Sequence, residues 1–171
     1  HHEGLAGFNK QVVLKVLHPW HAAEPKTMAS FLREARVGAK LNHVNIVQIF
    51  DVGEDGGDTF ITMEYVDGLT LQQATRRSWQ SGGGVAVDVA VRIAAAAATG
   101  LDHAHTTAGV VHRDVSPDNI IIARDGTVKL LDFGVAKLSG ADATKSGDAK
   151  GKVPFMAPEQ LRGDPVDART D

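Results

Sequence analysis

A lysine in the middle of an apolar strand restricts this chain more than any other feature. Residues 12–17 (Val-Val-Leu-Lys-Val-Leu) form an apolar, largely β-branched run broken only by Lys15, and such a run reads as a buried strand. An ammonium withdrawn from water is unfavourable unless an anion meets it. Either the strand lies at a sheet edge and Lys15 snorkels to water, or the fold brings an anion to it. A candidate is close by. Met28, Phe31, Leu32 and Ala35 recur at i, i+3, i+4 and i+7, which predicts an amphipathic helix over 27–41 with Thr27 as N-cap. Gly38 weakens that helix by roughly 1 kcal/mol relative to alanine. Glu34 flanks its apolar face, although alone it reads as a solvated helix glutamate.

The pattern continues as a turn over 42–45, then strands over 46–52 and 59–66 joined by the Gly/Asp-rich loop 53–58. After Asp67-Gly68 the periodicity changes. A short helix over 70–78 and a flexible break at 81–84 precede a long Ala-rich helix over 87–106, which stops before Gly109. Strands over 120–123 and 127–131 flank Asp125-Gly126, a hairpin signal, and residues 139–152 have the small, polar composition of a mobile loop. The expected architecture is α+β. A smaller lobe (1–66: strand, helix, two strands) meets a mostly helical lobe (67–171) carrying one hairpin.

Composition excludes several functions. Eighteen Lys and Arg against 21 Asp and Glu give a net charge of −3, so there is no electrostatic case for nucleic acid or anionic lipid. The chain has no cysteine, which removes disulfides, thiolate zinc sites and thiol catalysis. No apolar run approaches the ~20 residues that span a bilayer, and no signal peptide is visible at a beginning that looks cut. His103-Ala104-His105 is a poor metal pair, because i and i+2 on a helix point about 200° apart.

Three further clusters carry polar chemistry: His112-Arg113-Asp114 with Asn119, Asp132-Phe133-Gly134, and Ala157-Pro158-Glu159. Each alone is ambiguous; Asp-x-Gly is usually a turn, and Ala-Pro-Glu reads as a helix start with Pro at N1. Together with Lys15 and Glu34, in this order and on these elements, they resemble the protein-kinase family along the whole chain. Leu41-Asn42-His43 with Asn45-Ile46-Val47 resembles the bacterial, eukaryotic-like Ser/Thr branch.

The resemblance implies a bilobal kinase-like fold, here lacking the first two strands of the small lobe and stopping at the start of the large central helix at Asp171. It also implies ATP and Mg²⁺. Lys15 would hold the α- and β-phosphates with Glu34 orienting it, Asn119 and Asp132 would hold the metal, and Asp114 would align the substrate hydroxyl and accept its proton. The Glu64 carbonyl and the Val66 backbone would meet the adenine edge, with Val13 and Ile121 on its faces. His112 and Phe133 would be packing residues. The implied partner is a protein substrate offering Ser or Thr, in the cytoplasm, with any membrane anchor outside this stretch. Thr144 and Ser146 are candidate autophosphorylation sites, and Asp148 would place a standing negative charge near Arg113.

Departures from the family pattern qualify this. Ser116 stands where Ser/Thr kinases carry lysine, and Lys152 stands where they carry threonine. We read this as an exchange in which Lys152 supplies the cation and Ser116 the hydroxyl; the alternative is an impaired kinase whose Lys152 faces solvent. Val13 replaces the usual alanine and crowds the adenine site. Gly4-Leu5-Ala6-Gly7 lacks the spacing of the Gly-rich loop, and Glu159 is expected to lack its arginine partner, so the 171 residues alone are expected to be inactive or nearly so. Two other functions compete: a pseudokinase or nucleotide-binding module, and a small-molecule kinase, which Ala157–Glu159 argues against. Tyrosine specificity is not expected, because 115–118 lacks that branch's Ala/Arg pattern.

Overall fold

The Val-rich segment around Lys15 forms strand β3 (Val12–Val16) of an antiparallel sheet whose order is β3-β5-β4. Here β4 is Ile49–Asp55 and β5 is Asp58–Glu64. The structure is a computed structural model that describes residues 2–3, 9–18, 24–133 and 153–171. A short antiparallel pair, β1 (His2–Glu3) with β2 (Asn9–Lys10), precedes this sheet; two-residue strands are too short to show alternation. Lys15 lies opposite Ile61 and Val13 opposite Met63. Odd-numbered side chains of β3 therefore share one face, the face on which α1 (Pro25–Gly38) supplies Glu34 to Lys15.

The N-cap of α1 is Glu24, not Thr27. Pro25 explains the difference, since the residue before a proline is driven to extended backbone and proline fits N1. Thr27 Oγ1 instead donates to Glu24 Oε2 at 2.7 Å. Phe31, Ala35 and Gly38 form the buried stripe of α1, packing with Leu17, Val47, Ile61 and Met63.

The second β region begins later than the apolar pattern suggests. Ile46 and Val47 do not join β4; Ile46 bridges to Leu130 and the Val47 N–H donates to the Leu130 carbonyl at 2.9 Å. Leu130 belongs to a second sheet, β6-β7-β8, formed by Gly68–Thr70, Ile120–Ala123 and Val128–Leu130. The β7–β8 hairpin turns at Gly126, whose φ is 87°, as the Asp-Gly signal required. Leu41 and Ile46 consequently sit in the core of this half, among Ile93, Ala97, Leu101 and Leu130.

Helix α2 (Leu71–Gln80) starts at a capping box, with Thr70 Oγ1 accepting from the Gln73 N–H and Gln73 Oε1 accepting from the Thr70 N–H. Helix α3 (Val87–Ala108) stops at Gly109, which takes φ 62° while its N–H donates to the His105 carbonyl. Helix α4 (Pro158–Arg162) begins with proline at N1, as read from the sequence. Among the described residues no helix is long and apolar enough to cross a membrane.

Leu130 is 1% exposed in the core of the second half, and its carbonyl accepts from the Val47 N–H, whose side chain lies in the core of the first. Leu130→Ala is expected to destabilise the fold by about 2–5 kcal/mol. In urea unfolding this appears as a lower midpoint with an unchanged slope.

Candidate active site

The lysine finds its anions. Lys15 Nζ lies 2.6 Å from Glu34 Oε1 and 3.0 Å from Asp132 Oδ1, with the Glu34 side chain 12% exposed and that of Lys15 34% exposed. Burial pulls the ammonium toward deprotonation, but the Asp132 and Glu34 carboxylates outweigh it and the net direction is up. Lys15 is therefore a fixed cation. Burial pushes the Glu34 carboxyl above the ordinary glutamate range, against the pull of the Lys15 ammonium. Three elements distant in sequence thus meet at one charge: an edge strand among the described residues, the middle of a helix, and the segment after β8.

The loop between α3 and β7 carries Asp114. Asn119 Nδ2 donates to both the Asp114 carbonyl and Asp114 Oδ2, each at 2.8 Å. The Asn119 carbonyl accepts from the Leu131 N–H at 2.9 Å, which ties this loop to the residue before Asp132. Both amide hydrogens of Asn119 point at Asp114, so its side-chain oxygen is left as an acceptor. Asp132 gives one oxygen to Lys15 and keeps another. Carboxylate and amide oxygens are the hard donors that suit Mg²⁺, which completes its shell with phosphate and water; the donor set therefore fits that ion. Among the described residues no group of three or more His, Cys, Asp or Glu forms an all-protein cage.

The loop is held in a strained backbone. Arg113 has φ 65° and Asp132 φ 43°, left-handed values that residues other than glycine adopt at a penalty. The buried Asp171 carboxylate secures Arg113 from one side, accepting the His112 and Arg113 N–H groups at 2.7 Å each and also meeting His105 Nε2 at 2.7 Å. From the other side Gln160 Nε2 donates to the Arg113 carbonyl at 2.8 Å. The parts played by His105 and Gln160 left no signal in the sequence. His103 faces elsewhere and stacks on His43 with centroids 4.9 Å apart.

His112 is buried, and its tautomer follows from its partners. Nδ1 accepts the Asp114 N–H at 3.2 Å, so the proton sits on Nε2, which donates to the Leu131 carbonyl at 2.9 Å. Its ring packs on Phe133 with centroids 4.7 Å apart. His112 is 0% and Phe133 4% exposed.

Of the residues expected to meet adenine, Val66 and Ile121 pack, with Leu131, against the core of the first sheet, while Val13 is exposed on the Lys15 face. The Glu64 side chain does more than expected. Its Oε2 accepts from the Gln48 N–H at 3.2 Å and from Lys129 Nζ at 3.0 Å, linking the first sheet to β8. Glu159 also has a partner, accepting from Thr170 Oγ1 at 2.7 Å. Ser116 is 3% exposed, and among the described residues its hydroxyl has no hydrogen-bond partner. Gly134, Thr144, Ser146, Asp148 and Lys152 lie outside the described residues.

Burial drives the His112 pKa below the ordinary histidine value. A depressed folded-state pKa stabilises the native state above the unfolded value near 6.5, and that contribution is lost as pH falls toward the folded pKa. Stability is expected to drop below pH 6.5 by up to about 1.4 kcal/mol per pH unit from this group. His43, also shifted downward by burial, adds in the same sense. Urea unfolding between pH 7.5 and 5 should show a shallower acid slope for His112→Phe, whatever its stability at pH 7.5.

A family model described as protein kinase domain matches residues 5–171. The chain is 42% identical to the tyrosine-protein kinase MasK of Myxococcus xanthus over 98% of its length. It is 38% identical, over 95% of its length, to the serine/threonine-protein kinase PknB of Mycobacterium tuberculosis. It spans 27% and 26% of those two proteins. Among solved structures, the kinase domain of M. tuberculosis PknI aligns with a TM-score of 0.73 at 34% identity, covering 97% of this chain and 60% of that one. With Lys15, Glu34, Asp114, Asn119 and Asp132 on their elements, the chain belongs to the protein kinase domain family.

Proposed function

We propose that the protein transfers the terminal phosphoryl group of ATP to serine or threonine hydroxyls of protein substrates, through a cleft between lobes 1–66 and 67–171. The observation that carries this reading is Lys15 Nζ held between Glu34 and Asp132, at 2.6 and 3.0 Å. A pre-positioned cation beside a carboxylate is what phosphate binding needs. Mg-ATP supplies the phosphoryl group and the metal that neutralises its charge. Lys15 binds the phosphate oxygens, and Glu34 keeps its ammonium in place. Asp132 and the Asn119 oxygen would hold the metal. Asp114, aimed by Asn119, orients the acceptor hydroxyl and takes its proton. Val13, Val66 and Ile121 provide apolar surface for adenine, and the Glu64 and Val66 backbones its polar edge.

The Ser116 hydroxyl, buried and without a hydrogen-bond partner among the described residues, supports the exchange with Lys152, since a buried hydroxyl left unpaired is unfavourable and a cation beside Asp114 would satisfy it. Thr144 and Ser146 remain our candidates for autophosphorylation. We place the reaction in the cytoplasm, where ATP is supplied, and expect the 171 residues alone to turn over little substrate. A nucleotide-binding module without turnover is the competing reading.

Thermal unfolding with and without Mg-ATP tests the nucleotide site. Selective binding to the native state at 100 times Kd adds roughly 2.7 kcal/mol, a rise in Tm of several degrees; Lys15→Ala with Asp132→Ala should abolish it. Phosphotransfer by the full-length protein onto Ser-, Thr- and Tyr-containing peptides then separates kinase from binding module. It also tests the acceptor, given the name carried by MasK. Lys152→Ala should lower turnover about 100-fold or more if it supplies the cation; near-normal turnover rejects the exchange.

A further inference from the structure

Gln160 stands at the third position of α4, whose N-cap is Ala157. Its Oε1 accepts the Ala157 N–H at 3.0 Å, and its Nε2 donates to the Arg113 carbonyl at 2.8 Å. A donor on one side and a carbonyl on the other leave the amide a single orientation. In a capping box the N-cap side chain returns a bond to the helix; alanine has no polar side-chain atom to do so. The donating half of Gln160 is turned out of the helix, onto the loop that carries Asp114.

That bond lands on the peptide unit joining Arg113 to Asp114. The N–H of this unit, from Asp114, donates to His112 Nδ1 at 3.2 Å. Its carbonyl is the group that Gln160 holds. His112 belongs to the same loop and moves with it, whereas Gln160 fixes the unit from a separate element. Arg113 sits at φ 65°, a conformation that persists only where the surroundings impose it. Returning Arg113 to an ordinary φ would carry its carbonyl off Gln160 and turn Asp114, the next residue, out of its present setting. The Arg113 N–H is already held by Asp171 Oδ1 at 2.7 Å, but that contact lies before the φ rotation. Gln160 acts after it.

We propose that Gln160 is a positioning residue for phosphoryl transfer: by donating to the Arg113 carbonyl, it fixes the peptide that enters Asp114 and so aims the Asp114 carboxylate. The catalytic part of this inference rests on the kinase reading; the backbone part does not. The competing role for Gln160 is to start α4 through its bond to the Ala157 N–H alone.

The test uses the full-length protein and separates the two bonds of the amide. Gln160→Glu keeps an acceptor for Ala157 and loses the donor; Gln160→Lys keeps a donor for Arg113 and loses the acceptor. One readout is hydrogen exchange of the Asp114 N–H without nucleotide, read by mass spectrometry with fragmentation of the loop peptide. The other is kcat for phosphotransfer beside the KM for ATP. Gln160→Glu is expected to speed exchange several-fold and lower kcat by about 10- to 100-fold, the scale of a 1 Å misplacement, with the KM for ATP unchanged. Gln160→Lys should restore slow exchange and keep kcat well above that of Gln160→Glu. Wild-type exchange and kcat in Gln160→Glu overturn the proposal, because the acceptor alone would then suffice. So does fast exchange in Gln160→Lys. If Gln160→Glu does not fold, Gln160→Lys decides alone: slow exchange supports the donor role and fast exchange rejects it. Wild-type protein without phosphotransfer would reject the kinase reading, while the exchange series would still judge Gln160.

Discussion

The meeting of Lys15 with Glu34 and Asp132 organises this molecule. Each group is only partly shielded, and a lone surface pair of this kind would be worth little. Here one ammonium serves two carboxylates from different halves of the fold. Removing the cation would leave like charges facing each other across the cleft. Removing one anion would leave the lysine half-satisfied beside apolar strand residues. The pair is therefore less a source of stability than a constraint: it forces the helix, the strand and the segment after β8 into one arrangement.

The opposite wall of the cleft uses neutral groups for the same purpose. His112 is kept uncharged by burial and bridges the Asp114 N–H to the Leu131 carbonyl. Asn119 spans Asp114 and the Leu131 N–H. The residue before Asp132 is thus held through both its backbone polar groups by the loop that carries Asp114. Left-handed backbone at Arg113 and Asp132 is tolerable because anchors surround it. A rigid, over-determined loop suits a task in which positioning supplies much of the catalysis.

Much of this was legible in the sequence, for identifiable reasons. A lysine within an apolar strand and a glutamate beside an apolar helix stripe both leave periodic signals, and the Asp-Gly hairpin and Gly109 stop are local backbone chemistry. What stayed hidden depends on distant partners. Ile46 and Val47 have strand-like side chains, but their backbone partner is Leu130, which alternation cannot reveal. Thr27 looks like a cap until Pro25 is given its steric weight. β6 is three residues long and exists through its pairing with β7. Glu64 was read for its backbone alone, whereas its carboxylate holds Lys129 and the Gln48 N–H.

Those hidden contacts share a consequence. Leu130 takes the backbone of residues 45–47, and Lys129, its neighbour in β8, takes the side chain of Glu64. The first sheet is therefore fastened to the second half of the fold at two points on one strand. Helix α1 has a different kind of attachment. Among the described residues its link to the sheet consists of an apolar stripe and the ion pair of Glu34 with Lys15. Of the elements that bring charge to the cleft, α1 is the one whose position rests on side-chain packing and not on strand hydrogen bonds.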